Sequence, residues 1–337
     1  MQALQITAPH QLRLVEVPEP RPQEDEALLA VRRVGICGTD WHAFGGSMPF
    51  FEYPRIIGHE LGVEVLELPR GYSGTLKTGD RCSVEPYLND PGSQASALGK
   101  TNCCESLRVL GVHMDGGLQP MLTMPAHKLH ASASLSFDQL ALVETLCIGA
   151  HAIERARPGR DDRILIVGAG PIGLGALQFA RLESETIAVM DVNPSRLDFC
   201  NKELGIEKTL LATDEPVEAL RELFDGLLPT IVIDATGHQG SMEKSFSLLS
   251  NGGTLVFLGI FAGPIAFHDP EFHRRELTVM ASRNATAATF QHVITSIESG
   301  RVSTDPWITH RIPFEESVTQ LPLLEKEPGL LKAMVGI

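Results

Sequence analysis

Three short segments of the chain carry residue types that could do chemistry together. They read GICGTDWH at 35–42, GHE at 58–60 and GAGPIG at 168–173. The first two offer a thiolate, an imidazole and a carboxylate, which are ligands of catalytic zinc. The third offers backbone amides that can bind a pyrophosphate. A metal that polarises an alcohol, together with a dinucleotide that accepts a hydride, predicts alcohol oxidation or the reverse carbonyl reduction.

The candidate metal ligands are Cys37, His59, Glu60 and Glu144. A single buried cysteine is more often structural than a ligand, and it is the combination that favours a metal site. Glu144 stands alone in an apolar helical stretch, where a buried carboxylate is costly unless a cation lies nearby. The alternative is that Glu144 faces solvent at the edge of a helix. Adjacent side chains of an extended strand point to opposite faces, so His59 and Glu60 need a bend to share one metal. Either Glu60 or Glu144 could be the third ligand, with the other holding bound water.

These residues require elements that position them. Residues 1–130 contain short β-type runs broken by Gly and Pro, at 27–34, 62–68, 80–85 and 122–128, which is typical of an all-β, barrel-like module. The polar stretch 87–100 is predicted to be a surface loop. The tail, 287–337, is predicted to complete this module with a helix at 289–299, an extended piece at 307–312 and a helix at 313–324.

The pattern changes after residue 137. Apolar residues at helical spacing predict a helix at 138–156, and a continuous apolar strand follows at 163–167. The glycine turn, a helix at 174–182 and a strand at 186–192 complete a β-α-β unit, which begins a parallel sheet. Further strands are predicted at 230–235, 254–259 and 277–282.

The glycine turn fits the G-x-G-x-x-G pattern, with a strand before it and a helix after it. Asp191 ends the second strand, about eighteen residues past the last glycine, where a carboxylate can bind the ribose hydroxyls. It would repel a 2′-phosphate and so favours NAD over NADP, although the nearby Arg196 weakens that preference. A structural turn beside a surface Asp is the alternative. The predicted cofactor-binding residues are Gly168, Gly170, Pro171, Ile172, Gly173, Asp191 and Arg196.

Bulk properties restrict the class of protein. A length of 337 residues predicts two domains. A net charge of −14 argues against nucleic-acid binding, which needs a basic surface. We found no apolar run long enough for a membrane span and no secretory signal pattern, so no membrane partner is expected. Six cysteines in such a chain predict reduced thiols and a cytoplasmic location.

Together the motifs resemble the zinc-dependent medium-chain dehydrogenases, most closely the sorbitol (polyol) branch and its sugar-acid relatives. The resemblance implies an α/β protein with a GroES-like β-barrel catalytic domain, from 1–145 and 285–337, and a Rossmann doubly wound parallel sheet in 146–284. It also implies NAD as cofactor and a homodimer or homotetramer. It depends on GICGTDWH at 35–42, IIGHE at 56–60, GDRCSVEP at 79–86, NCCESLRVLGVHMDGG at 102–117, VGAGPIG at 167–173 and ITHRIPFEES at 308–317.

The same resemblance implies residue roles. Catalytic zinc is expected at Cys37 and His59, with Glu60 and Glu144 in the carboxylate positions. Glutamate at 144, where many members have cysteine, is similar to the polyol and sugar branch.

Three polar residues are implied around the substrate. Thr39 matches the hydroxyl that relays the substrate proton, and His42 lies where several relatives place a second polar group. Arg283 matches an arginine at the pocket of the polyol branch. A polyhydroxylated molecule could be favoured by His42, Glu144, His113 and Arg283 together. Arg283 and His113 could also suit the carboxylate of a sugar acid, although either of these two residues could be structural.

The chain departs from many relatives at a second, structural zinc site, which has the pattern C-x2-C-x2-C-x7-C. Counting back from Cys104 finds Asp90, Ser93 and Ser96, which cannot supply a closed set of thiolates. We therefore predict one catalytic zinc and no structural zinc, with Cys103 and Cys104 as ordinary thiols.

The predicted reaction is hydride transfer to NAD from a secondary alcohol of a small polyhydroxylated substrate, either a polyol or a sugar acid. The same chemistry on L-threonine or an aldose is the first alternative. A zinc-free reductase for activated alkenes or quinones is the second, and the donor set at 37, 59 and 60 disfavours it. A non-catalytic NAD-binding protein is the third.

Overall fold

The computed structural model describes residues 1–48, 51–213, 215–325 and 327–337. In it the chain divides into two compact units, Met1–Thr145 with Thr286–Ile337, and Leu146–Ala285. That each unit is a separately folding domain, with the boundaries given above, stays a prediction. Across these residues, no helix has both the length and the apolar character needed to cross a membrane.

The first part of the chain consists mostly of strands, and in the part that follows helices and strands alternate. The strands are β1 (Gln2–Ala8), β2 (Gln11–Glu16), β3 (Glu26–Ile36), β4 (Arg55–Ile56), β5 (Glu60–Glu67), β6 (Arg81–Val84), β7 (Tyr87–Leu88), β8 (Arg108–Val109), β9 (Met121–Pro125), β10 (Leu129–Ala131), β11 (Arg163–Val167), β12 (Thr186–Asp191), β13 (Thr209–Leu211), β14 (Ile231–Asp234), β15 (Thr254–Phe257), β16 (Thr278–Ala281), β17 (Ile308–Pro313) and β18 (Lys332–Gly336). The helices are α1 (Gly38–Phe44), α2 (Gln94–Ala97), α3 (Phe137–Ala156), α4 (Pro171–Glu183), α5 (Pro194–Leu204), α6 (Val217–Leu223), α7 (Gln239–Ser245), α8 (Asp269–Arg274), α9 (Ala287–Glu298) and α10 (Ser317–Leu324).

The long strand β3 organises the first unit. Its sheet runs β10-β6-β5-β3-β18-β17, and β9 also pairs with β3. The inward side chains of β3, including Leu29, Val31 and Val34, are buried in one apolar core. In the register of this sheet, Gly35 lies opposite Glu60 of β5 and Met334 of β18. The end of β3, the start of β5 and the C-terminal strand therefore meet at one place.

The second unit contains a six-stranded, wholly parallel sheet in the order β13-β12-β11-β14-β15-β16. Counted within the unit, this is the 3-2-1-4-5-6 order of a doubly wound fold. The central strand β11 is almost wholly buried, as expected for a parallel strand between two helical layers. Leu165, Val232 and Leu255 from three of the strands share its core. The predicted doubly wound sheet is confirmed.

Two parts of the first unit differ from the prediction. The stretch 87–100 was expected to be a surface loop, but Tyr87 begins β7 and only 2% of its surface is exposed. The strand β18 was not predicted, because a five-residue segment near the end of the chain has no repeated pattern of its own. It is defined instead by pairing with β3 and β17, which lie far away in sequence.

Candidate functional site

One buried carboxylate holds together the two segments that carry the candidate sulfur and imidazole ligands. Cys37 caps the N-terminus of α1, and its N–H donates to Asp40 Oδ2 at 2.9 Å. The N–H of Gly58 donates to the other oxygen of Asp40 at 3.3 Å. Burial raises the pKa of Asp40, although the nearby His59 opposes that rise. Sequence reasoning did not single out Asp40, although it lies within the motif at 35–42.

His59 and Glu60 reach the same place because the chain bends before them. Gly58 has φ of +95°, a conformation that favours glycine, and β5 begins only at Glu60. The ligand atoms of Cys37, His59 and Glu60 all lie within 4.8 Å of one another. Among the described residues, these three form the group with the spacing of a metal site.

The local chemistry of this group fits a cation. The side chain of His59 is buried, and its Nδ1 has no hydrogen-bond partner within the part of the chain that the structure describes. Burial would lower the pKa of His59, but the Cys37 sulfur, Asp40 and Glu144 hold it well above the ordinary value. Sulfur, nitrogen and oxygen donors in an anionic surrounding are what a divalent zinc ion requires.

Glu60 is already paired inside the protein. Lys332 Nζ lies 2.7 Å from both carboxylate oxygens, and both side chains are buried. The same ammonium contacts Thr145 Oγ1 at 3.2 Å and the carbonyl of Ile36 at 3.3 Å. Burial would raise the pKa of Glu60, but Lys332 and then His59 hold it below the ordinary value. Sequence reasoning missed Lys332, because a lysine in the tail carries no local signal of its partner.

Gly35 explains how this carboxylate fits. A Cβ added at Gly35 would lie 2.1 Å from Glu60 Oε2, which is closer than any side-chain carbon can approach. The first glycine of the motif at 35–42 therefore leaves the space that the Glu60 carboxylate occupies.

Glu144 has different surroundings from Glu60. It lies on α3 with 4% of its surface exposed, so the alternative of a solvent-facing helix edge is wrong. The hydroxyl of Tyr87 donates a hydrogen bond to Glu144 Oε1. Burial raises the pKa of Glu144, while His59 acts in the opposite direction. The two acids are thus distinguished: Glu60 has an ammonium partner, and Glu144 has a neutral phenol.

The remaining residues predicted for catalysis and substrate lie on several different segments of the chain. Thr39 is half-buried in the first turn of α1, and His42 is exposed with Nδ1 3.1 Å from Ser47 Oγ. His113 is exposed, and its Nδ1 accepts the N–H of Val109 at 3.1 Å. Arg283 is exposed just after β16, in the second unit. Their roles stay predictions.

In the glycine turn of the second unit, the backbone geometry, the close packing or the open space beside the backbone explains why each position is a glycine. Gly168 has φ of +94°. A Cβ on Gly173 would lie 1.8 Å from the carbonyl oxygen of Gly168, so helix and strand pack too closely for any side chain. A Cβ on Gly170 would meet only Arg196 Nη1, at 3.8 Å, which leaves open space beside the backbone. Gly170 caps α4, whose first turn contains Pro171 and Ile172 with backbone dipoles that favour an anion.

Asp191 is tied to this turn. Its Oδ2 accepts the N–H of Ala169 at 2.6 Å, and its Oδ1 accepts the N–H of Asn193 at 2.7 Å. Arg196 Nη1 lies 3.8 Å from Oδ2. Only 5% of Asp191 is exposed, so the alternative of a surface Asp is wrong. The carboxylate fixes the end of β12 against the glycine turn.

Cys104 differs from the ordinary thiol that was predicted. Its sulfur accepts the N–H of Asp90 at 3.2 Å and lies 3.6 Å from Ser106 Oγ. Hydrogen bonds from Ser93, Ser106 and the backbone lower the pKa of Cys104 to about 7. The neighbouring Cys103 is exposed. That this lobe holds no zinc stays a prediction.

Comparison with known proteins agrees with this geometry. Residues 23–134 match the family model of the alcohol dehydrogenase GroES-like domain, and residues 171–299 match that of zinc-binding dehydrogenases. L-galactonate-5-dehydrogenase of Escherichia coli K12 is 41% identical over 295 residues, covering 88% of this chain and 86% of that enzyme. Sorbitol dehydrogenase of Ovis aries is 29% identical over 343 residues, covering 99% and 95%.

A solved structure extends the similarity to three dimensions. The crystal structure of an alcohol dehydrogenase (rspB) of Escherichia coli CFT073, in complex with NADH, has a TM-score of 0.93 and 28% sequence identity. The match covers 100% of this chain and 99% of that one. The chain belongs to the zinc-binding dehydrogenases, in their polyol and sugar-acid branch. It is an oxidoreductase with the GroES-like and Rossmann folds of that family. The predicted fold class and the predicted enzyme class are therefore confirmed.

Proposed function

We propose that this protein is a zinc- and NAD-dependent dehydrogenase that oxidises a secondary alcohol of a sugar acid or polyol. The observation that carries the proposal is the approach of the ligand atoms of Cys37, His59 and Glu60 to within 4.8 Å of one another. When bound, zinc supplies a Lewis acid for the substrate hydroxyl, and the dinucleotide supplies the acceptor for a hydride.

The residues of the chain divide the work. Cys37 and His59 would hold the metal, and a carboxylate from Glu60 or Glu144 would complete its protein ligands. Thr39, half-buried on the helix that Cys37 caps, would receive the proton of the substrate hydroxyl, and the exposed His42 would pass it to solvent.

The choice of NAD is supported by the position of Asp191. Its carboxylate would accept hydrogen bonds from the ribose hydroxyls and would repel the phosphate of NADP. The structural relative from Escherichia coli CFT073 was crystallised in complex with NADH, which supports the same choice. Arg196 opposes it weakly, because a cation beside Asp191 could bind a phosphate.

The substrate class is supported by the names of two relatives, one acting on L-galactonate and one on sorbitol. Arg283 would bind the carboxylate of a sugar acid, with His113 as a further polar contact. A substrate panel separates these choices: turnover with NAD on aldonates or polyols supports the proposal. Turnover confined to L-threonine or to aldoses would refute the substrate class.

The metal is tested independently of turnover. Purified protein should contain about one zinc per chain, and Cys37→Ser should lose most of it while NAD binding, measured by calorimetry, persists. Cys103→Ser removes an exposed thiol from the same unit and is the matched control. Full activity of Cys37→Ser, or activity insensitive to chelators, would remove zinc from the proposed mechanism, and two zincs per chain would refute the single site.

We further propose a homodimer or homotetramer. The outer strand β16 of the parallel sheet pairs with β15 alone among the described residues, and Val279 on it is 38% exposed. An exposed apolar edge strand favours pairing with another chain. Light scattering that gave a monomer at micromolar concentration would refute this.

A further inference from the structure

The phenol of Tyr87 is buried and held from two sides. Its hydroxyl donates to Glu144 Oε1, and its ring lies edge-on to Phe290 with centroids 6.2 Å apart. The ring of His130 stacks on the same phenylalanine at 4.9 Å. Tyr87 therefore has little freedom to change the direction of its hydroxyl.

The segment between β6 and Tyr87 is anchored by a second group of buried charges. Glu85, two residues earlier, has 1% of its surface exposed. Its Oε1 lies 2.5 Å from Lys128 Nζ, and its Oε2 lies 3.2 Å from His130 Nε2. Lys128 also donates to Asn89 at 3.1 Å, on the other side of Tyr87 in sequence. This group fixes the backbone on both sides of Tyr87 without using a residue of the metal centre.

The two acids near His59 are oriented by different partners. Lys332 engages both oxygens of Glu60, so that carboxylate is fixed within the protein. The hydroxyl of Tyr87 engages one oxygen of Glu144. A hydrogen bond to one oxygen restricts the rotation of the planar carboxylate group about its Cγ–Cδ bond.

We propose that Tyr87 is a positioning residue of the metal centre, whose hydroxyl orients the Glu144 carboxylate toward the ion held by Cys37, His59 and Glu60. The inference deepens the proposed function and depends on it, because it requires a metal at that centre. Hydrogen-bond partners that orient a ligand typically contribute 10- to 100-fold to metal affinity or activity. Tyr87 would act through Glu144 without contacting substrate.

The test measures metal affinity directly on the metal-free full chain. Zinc is titrated in competition with a chromophoric chelator, and Co²⁺ is added to a second sample for its visible absorption spectrum. Tyr87→Phe keeps the ring against Phe290 and removes only the hydroxyl, so it should fold. We expect it to bind zinc about 10-fold more weakly and to shift the Co²⁺ bands. Tyr72→Phe, a half-buried phenol of the same unit, is the matched control and should change neither.

A double-mutant cycle shows whether the effect passes through Glu144. In the Glu144→Ala background, Tyr87→Phe should cause no further loss of zinc affinity. Equal zinc affinity and equal Co²⁺ spectra for wild type and Tyr87→Phe would overturn the role of Tyr87 while leaving the metal centre intact. An equal loss in both backgrounds would overturn it as well, since Glu144 would not be the intermediary. A wild-type chain that binds neither ion would overturn both the proposed function and this inference.

Discussion

The ammonium of Lys332 and the carboxylate of Glu60 form a buried ion pair between residues that are 272 positions apart. Both oxygens of Glu60 are 2.7 Å from Nζ, and Thr145 and the carbonyl of Ile36 accept the remaining hydrogen bonds of the ammonium. The pair therefore joins the C-terminal strand to the start of β5, next to the candidate metal ligands. Its charges balance within the protein.

Removing the cation alone should be strongly destabilising. Lys332→Met leaves an uncompensated buried carboxylate, and we expect the free energy of unfolding to fall by about 3–5 kcal/mol. Urea unfolding followed by tryptophan fluorescence measures this in the relevant unit, because both tryptophans, Trp41 and Trp307, belong to the first unit.

An exposed ion pair of the same sheet provides the control. Arg32 lies 2.7 Å from Glu64, but both side chains are about one-third or more exposed. Arg32→Gln should change the free energy of unfolding by less than about 1 kcal/mol. A Lys332→Met variant as stable as Arg32→Gln would show that the buried pair contributes little.

Two substitutions in the glycine turn should affect different properties, one the stability of the protein and the other its affinity for NAD. Gly173→Ala places a carbon against the Gly168 carbonyl and should lower stability by about 1–3 kcal/mol through overpacking. Gly170→Ala meets only the flexible end of Arg196, so the chain should remain as stable as wild type. It should nevertheless bind NAD more weakly, because the added methyl occupies the space beside the amides. Thermal unfolding and NAD titration separate the two effects, and unchanged NAD affinity in Gly170→Ala would contradict the predicted site.

Asp191→Asn tests the cofactor preference. The amide keeps an acceptor for the Ala169 N–H but loses the charge that repels a phosphate. We expect NAD affinity to fall about 10-fold, since hydrogen bonds to charged groups contribute about 1.5–3 kcal/mol, and the ratio of NAD to NADP affinity should narrow. Asp198→Asn, an exposed acid on α5, is the control. An unchanged ratio in Asp191→Asn would overturn the assignment of NAD.

Cys104 should make stability depend on pH. Its pKa in the folded protein is about 7, below the ordinary value of 9.0, because hydrogen bonds favour the thiolate. Below pH 7 the thiol is protonated in both states and contributes nothing. Stability should therefore rise between pH 7 and 9, and it is fully gained only above the unfolded value. The urea midpoint of Cys104→Ser should not rise in this way between pH 7 and 9, whereas the urea midpoint of Cys103→Ser should still rise. Parallel pH profiles for wild type and Cys104→Ser would show that the thiolate is not favoured.

Much of the fold follows from local pattern. The apolar run of β11, the glycine turn and the strand after it predict a parallel sheet, because their spacing is a property of one continuous segment. The strand β18 could not be predicted in this way, since it gains its hydrogen bonds from β3 and β17.

In the candidate site, too, residues with a local sequence signal were predicted and residues defined by distant partners were not. Cys37, His59 and Glu60 were predicted as candidate ligands from their residue types and their spacing along the chain. Lys332 and Tyr87 were not identified, because their partners Glu60 and Glu144 are distant in sequence, and neither residue type signals metal chemistry by itself. Glu144 was expected to have a cation nearby if it is buried, and this stays a prediction. The phenol that donates to it lies in a stretch predicted to be a loop.

The carboxylate of Asp40 accepts one amide from the segment of Cys37 and one from the segment of His59. The sulfur and the imidazole are therefore assembled by the polypeptide itself, and the entropy of bringing them together is lost during folding.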